Sequence, residues 1–160
     1  MKLNRFGEGI AKGMAITLKN FIRRPITTQY PEQKLNISRR TRGNQLVWEK
    51  NTCIACGACS RACPTNCLTM AVSRDENNKL KVDGMDLDVG LCIACGLCVE
   101  ACPKKCLFMS YLYEKARYSK KQFFLKKEDL IITEKSQPSG YFSPENEAKL
   151  PKQTLLIDRK

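Results

Sequence analysis

One cysteine-rich run occurs twice in this chain. CIACGACSRACPTNCLTM (53–70) and CIACGLCVEACPKKCLFM (92–109) start 39 residues apart and agree at 12 of 18 positions. Each reads C-x2-C-x2-C-x3-C-P, the bacterial-type ligand run for a cubane [4Fe-4S] cluster. Three thiolates spaced three residues apart can wrap a turn around one side of a cube. Gly57 and Gly96, with their small alanine neighbours, let the backbone approach and aim N–H groups at sulfur. The fourth cysteine stands four positions further on and is followed by proline, which turns the chain away. The run therefore predicts cross-ligation between the copies. Cys53, Cys56, Cys59 and Cys102 would hold one cluster; Cys92, Cys95, Cys98 and Cys63 would hold the other.

The competing reading is an all-cysteine zinc module. Such sites pair two C-x2-C knuckles and have no use for a third cysteine at the same step. The chain has no histidine, which removes Cys-His zinc fingers, Rieske centres and every His-dependent catalytic dyad. All ten cysteines fall between Cys53 and Cys106. The N-terminal MKLNRFGEGIAKGMAITLKNF lacks a compact apolar stretch and cleavage site, so a reducing compartment is expected rather than a secreted disulfide framework. Cys67 and Cys106 exceed the eight ligands that two cubes need. Both stand four residues after a C-P cysteine and read as small buried packing residues.

Around the repeat the chain divides by composition. Residues 1–24 place Leu3, Phe6, Ile10, Met14, Leu18 and Phe21 on one helical face, with Lys2, Arg5, Lys12, Lys19 and Arg23 largely off it. Pro25 is expected to stop that helix. Its stripe suits a protein core, a partner, or the headgroup region of a membrane. Residues 25–45 read as an extended arm and 46–112 as the two-cluster domain. Residues 113–160 read as a basic extension that fades into a Pro/Ser/Gly tail. Strands are expected at Leu46–Trp48, Leu68–Val72, Leu80–Val82 and Leu107–Leu112, with a turn at Asp75–Asn78. The fold class is α+β: a ferredoxin-like core of two βαβ-type halves related by a pseudo-twofold, plus an amphipathic helix and arms.

Lys and Arg number 28 against 16 Asp and Glu, for a formal charge of +12. Two oxidised cubes with their eight thiolates bring this to about +8. A nucleic-acid module would show aromatics interleaved on a basic face, and none is found; no nucleic acid is expected as a partner. Arg39, Arg40 and Arg42 are expected to face a partner protein.

From residue 8 to about 132 the chain resembles the two-cluster subunit of respiratory complex I and its photosynthetic relatives. The resemblance is carried by ITLKNFIRRPITTQYPE (16–32), Arg40-Thr41-Arg42-Gly43, both cysteine runs and KKEDLI (126–131). It implies an electron-relay subunit of a quinone oxidoreductase, with peripheral-arm and membrane-arm subunits as partners. Quinone would be met only through a neighbouring subunit. The helix of residues 1–24 would lie on the membrane surface, on the cytoplasmic side of a bacterial inner or thylakoid membrane or the equivalent organelle side. A cluster subunit of a membrane-bound hydrogenase and a free ferredoxin are the alternatives. The helix with its QYPE turn favours the first reading, and the basic arms disfavour a free carrier.

Overall fold

The computed structural model describes residues 7–154 apart from 25, 44, 77 and 135. They belong to two compact units, one reaching to Leu35 and taking in Thr154, the other spanning Asn36–Gln153. In the first unit, helix α1 (Glu8–Ile22) begins after Gly7 in the left-handed region and ends where Arg23 turns extended. Ile10, Met14, Leu18 and Phe21 fall on one face as expected, and no residue of α1 is buried. Phe21 is 88% exposed. Leu3, Phe6, Lys2, Arg5 and Pro25 lie outside the described residues. A Lys12–Glu8 ion pair one turn apart decorates the polar side. Further on, the QYPE turn contains a cis Tyr30–Pro31 bond.

The second unit holds the cysteines. Its first strand, β1 (Leu46–Trp48), has the expected bounds and is buried throughout. It pairs antiparallel with β4 (Leu107–Met109), Leu46 opposite Met109 and Trp48 opposite Leu107. Between them β2 (Leu68–Arg74) and β3 (Leu80–Asp88) form an antiparallel hairpin with a register shift at Ala71/Val72. Its turn is closed by the Asp75 N–H bonding to the Lys79 carbonyl at 2.9 Å. A short β5 (Phe124–Leu125) adds to the other edge of β3. Helices α2 (Ala58–Arg61) and α3 (Leu97–Glu100) carry the third cysteine of each run, Cys59 and Cys98.

The order within each half is strand, helix, strand. The pairing is not that of a βαβ unit, whose two strands run parallel. Here β1 pairs with β4 and β2 with β3, both antiparallel, so the outer pair joins the two halves. The return strand is also longer than the sequence suggested. Met85-Asp86-Leu87-Asp88-Val89 alternates with period two, burying Met85, Leu87 and Val89; Gly84 and the aspartates, poor strand formers, masked it. By contrast β4 stops at Met109. Ser110, fully buried, keeps its N–H on the Gln45 carbonyl and also bridges Pro138 on its other side.

Leu46, Trp48, Leu68, Met85, Leu87, Leu107, Met109 and Leu130 form one core, with Cys59, Cys67 and Cys106 among them. Each such leucine contributes about 1.5–3 kcal/mol when buried. Leu130 belongs to the KKEDLI stretch. Its carbonyl accepts the Trp48 N–H, and Gln45 Nε2 donates to the neighbouring Asp129 carbonyl. Gly43 closes the RTRG run where the chain passes against Ser110. Its N–H donates to the Ser110 carbonyl at 2.9 Å, and a Cβ there would run into the carbonyl oxygens of Ser110 and Leu112.

Residues 136–150 fold back rather than fade out. The Ser139 N–H donates to the Met109 carbonyl, the Tyr111 N–H to the Gln137 carbonyl, and helix α4 (Pro144–Lys149) follows. This segment occupies the arginines. Arg40 Nε bonds Glu147 Oε2 at 2.9 Å, Arg39 Nε the Pro151 carbonyl at 3.2 Å, and Arg42 Nη1 the Cys95 carbonyl at 3.1 Å. Each of the three arginines thus makes a bond within its own chain. The pattern of the run could not reveal this, since its acceptors lie 53 to 112 residues away.

Candidate metal centres

Both cysteine runs adopt the same backbone. Ala55 and Ala94 sit at φ 53° and 51°, Gly57 and Gly96 at 68° and 86°, Asn66 and Lys105 at 51° and 48°. Six residues in the left-handed region, in three pairs at matching repeat positions, produce the same tight loop twice. Two of the pairs are non-glycine residues, which enter that region at a cost. The loops earn back order through short helices: the Arg61 N–H bonds the Gly57 carbonyl, and the Glu100 N–H the Gly96 carbonyl.

The loops border two small cavities. Cys53, Cys56, Cys59 and Cys102 line the first, walled by Trp48, Met70, Met85 and Leu107. The second is lined by Cys92, Cys95, Cys98 and Cys63, walled by Leu46, Leu68 and Met109. In each cavity three thiols come from one run and the fourth from the other. Among the described residues no three Cys, Asp or Glu side chains converge closely enough to hold a single metal ion. Four thiols spread around an apolar chamber suit a multinuclear cluster, in which each sulfur reaches a different iron. One further feature of the first chamber fits an electron-rich occupant. Trp48 lines it, and its buried indole N–H has no hydrogen-bond partner among the described residues.

Cys67 and Cys106 are buried, as packing residues are, and they do more than fill space. Cys67 Sγ lies 3.3 Å from Cys63 Sγ, and Cys106 Sγ 3.4 Å from Cys102 Sγ. Each lines the chamber that its neighbour serves. Burial pushes the Cys67 thiol up to about 12 and the Cys106 thiol higher still. Burial also acts to raise Cys63, but hydrogen bonds from Thr65 and Cys67 outweigh it and bring that thiol down to about 7. Cys102 is likewise lowered against its own burial, by bonds from Cys106 and nearby backbone N–H groups. The fifth cysteine of each run thus lies within hydrogen-bonding distance of the fourth, with burial favouring the neutral form of the fifth. Sequence spacing gave no hint of this S–H···S contact, since residues four apart across a C-P turn are not on a regular helix. Cys98 is pushed up to about 12 by burial and by the neighbouring thiolates, and Cys59 is raised chiefly by burial. In both cases desolvation disfavours the bare anion, and a bound cation reverses that preference.

The surroundings of the two loops differ. Nearest to a Cβ built on Gly57 is Arg61 Nη1, at 3.3 Å. At Gly96 the same atom would stand 2.6 Å from Cε1 of Tyr141. Tyr141 arrives from the C-terminal segment, and nothing in its Ser-Gly-Tyr-Phe surroundings marked it in the sequence.

A duplicated thiol loop with crosswise sharing of the fourth cysteine defines a dicluster protein of ferredoxin type. Residues 52–106 match the family model of the 4Fe-4S dicluster domain, and two [4Fe-4S] clusters are its cofactors. Similarity extends beyond that domain. NADH-quinone oxidoreductase subunit I of Aquifex aeolicus is 43% identical over 141 residues, covering 74% of this chain and 70% of that one. The subunit I of Helicobacter pylori is 35% identical over 129 residues, covering 78% and 59%. That of Carboxydothermus hydrogenoformans is 42% identical over 81 residues, covering 51% and 56%. The chain belongs to the NADH-quinone oxidoreductase subunit I family, while spanning little more than half the length of the last two relatives. Among solved structures, a chain of the membrane-bound sulfane sulfur reductase, an archaeal respiratory membrane complex, shares the fold with a TM-score of 0.50 at 22% identity. That match covers 76% of this chain and 61% of the other.

Proposed function

We propose that the protein is the electron-relay subunit of a complex I-type quinone oxidoreductase, and that its eight cavity cysteines are the ligands. The observation that carries this reading is the pair of four-thiol chambers on either side of one small core. Bound clusters supply one-electron redox chemistry without proton transfer. The chain's own part is to hold them. The left-handed turns at Ala55/Gly57 and Ala94/Gly96 shape the loops, the Leu and Met walls keep water away, and Cys67 and Cys106 donate to one thiolate at each chamber. The two halves are then related by a pseudo-twofold. Quinone and the electron donor are assigned to neighbouring subunits.

Helix α1 is the membrane-side element of this reading. Its exposed Ile10, Met14, Leu18 and Phe21 form a stripe with Lys12 and Lys19 on the far side, the pattern of a helix lying in an interface. No described helix is long and apolar enough to cross a membrane. A free carrier would have no use for such a stripe. Helix α1, residues 26–35, the cluster-bearing unit from Asn36 and its 136–150 segment divide the labour as membrane contact, partner contact, relay and cover. The site of action is the cytoplasmic face of the membrane or its organelle equivalent.

The test uses the membrane complex that contains this chain. Donor reduction is expected to give two cubane electron paramagnetic resonance (EPR) signals from the subunit. Cys56→Ala and Cys95→Ala should each remove one of them, and both should stop quinone reduction. Replacing Ile10 and Met14 with Asp should release the subunit from the membrane with both signals kept. Quinone reduction that survives loss of both signals would overturn the reading.

A further inference from the structure

The C-terminal segment reaches one cluster loop and not the other. Tyr141 lies against the Cys95–Gly96 turn: a Cβ on Gly96 would meet its Cε1, hydroxyl oxygen and Cζ at 2.6, 2.9 and 3.0 Å. Three contacts fix the ring there. Its hydroxyl donates to Glu100 Oε1 on α3 at 2.5 Å. The Arg42 guanidinium stacks 5.6 Å from its centroid and donates through Nη1 to the Cys95 carbonyl. Its backbone N–H bonds Ser139 Oγ. The carrier segment is itself anchored, through Ser139 to Met109, Gly140 to Arg39 and Glu147 to Arg40. Both Ser139 and Gly140 are buried. The first loop has only the flexible Arg61 side chain near Gly57.

A cluster gains a negative charge on reduction. Water and nearby cations stabilise the more negative state and raise the potential; cover that excludes water lowers it. The two runs supply equal ligand sets but already differ within the repeat, Arg61 of the first standing where the second has Glu100; Tyr141 adds a difference from outside it. We propose that Tyr141, clamped by Arg42 and Glu100, is a positioning residue for the second cluster. It shields the Cys95–Gly96 turn from water and so holds that cluster's potential below the value its own cysteine loop would give, without touching the first. This rests on the reading that Cys63, Cys92, Cys95 and Cys98 hold a cluster.

The experiment is an EPR-monitored redox titration of the full chain with both clusters in place, each signal assigned through Cys56→Ala and Cys95→Ala. Tyr141→Ala is expected to shift the Cys95-dependent signal to higher potential, leave the Cys56-dependent signal where it was, and speed removal of the second cluster's iron by a chelator. Tyr141→Phe keeps the ring and should restore both behaviours. Tyr141→Leu keeps an apolar side chain against Gly96 while uncovering part of the turn, and should shift the same signal up by a smaller amount. That second variant decides the matter if Tyr141→Ala fails to fold. Unmoved potentials, or equal shifts of both signals, would overturn the proposal while leaving the ligand assignment intact. If Cys95→Ala leaves both signals in place, the ligand assignment fails instead, and the proposal falls with it.

Discussion

The two cysteine loops share a backbone and differ in what covers them. Matching left-handed residues shape both, and each chamber takes its fourth thiol from the opposite run. Yet Gly57 faces a single arginine tip, whereas Gly96 lies under Tyr141, Arg42 and Glu100. A duplicated run can specify equal ligand sets, because a ligand set depends on local spacing. Its unmatched positions make the environments unequal, as with Arg61 in one copy and Glu100 in the other. Residues 42 and 141, outside the repeat on either side of it, add to that difference.

Removing both clusters is the largest perturbation available and treats the halves alike. The core between the chambers is small, and four thiols line each void, so chelation of the iron is expected to unfold residues 36–153. Loss of strand signal in circular dichroism together with iron release checks this. Retention of the full signal in the iron-free chain would mean that the core stands without its clusters.

Swapping single ligands breaks the comparison crosswise. Cys102→Ser should perturb the signal that depends on Cys56, and Cys63→Ser the signal that depends on Cys95. EPR of the two variants reads this directly. If each variant instead affects the signal of its own run, the halves are independent modules.

Gly96→Ala and Gly57→Ala sharpen the comparison. A side chain in the left-handed region costs about 1–2 kcal/mol at each site. Only at Gly96 must a neighbouring ring move as well, so that variant should be the less stable of the two by denaturant titration. It should also loosen the C-terminal segment, read as faster amide exchange at Ser139 and Tyr141. Equal losses at both glycines would show that the ring yields freely.

The smallest effect is expected from the fifth cysteines. Cys67→Ala and Cys106→Ala each remove one buried sulfur, a cost of about 1 kcal/mol on the scale of small core truncations. Iron content should stay complete in both variants. Each also removes the thiol donor to one fourth-cysteine thiolate, so each should lower the potential of one cluster only: the Cys95-dependent one for Cys67→Ala, the Cys56-dependent one for Cys106→Ala. A missing cluster in either variant would make that cysteine a ligand.

Much of the second unit was legible in the sequence for a local reason. The spacing of the cysteines, the glycines within the loops and the C-P turns are short-range instructions, and β1 fell within its expected bounds. Helix α1 was legible too, because its stripe repeats at steps of three and four. The misreadings were all non-local. Strand β3 ran on to Asp88 because β2 on one edge and β5 on the other satisfied a stretch of poor propensity. The βαβ pairing gave way to antiparallel pairs because strand partners are chosen by burial across the whole unit. The bonds of Arg39, Arg40 and Arg42 were hidden for the same reason, since their acceptors, from Cys95 to Pro151, are far away in the chain.

The sequence by itself determined that this protein carries two thiol-bound clusters, which cysteines could serve them, and that one helix presents an apolar stripe. Only the tertiary structure decided that Cys67 and Cys106 touch the fourth thiols, that residues 136–150 fold back on the cluster domain, and that the two chambers are unequally covered. The physical reason is range. Ligand spacing and helical periodicity act over a few residues and are written in the order of the chain. Cover, burial and hydrogen-bond choice depend on which distant segments compete for the same surface, and folding alone settles that competition.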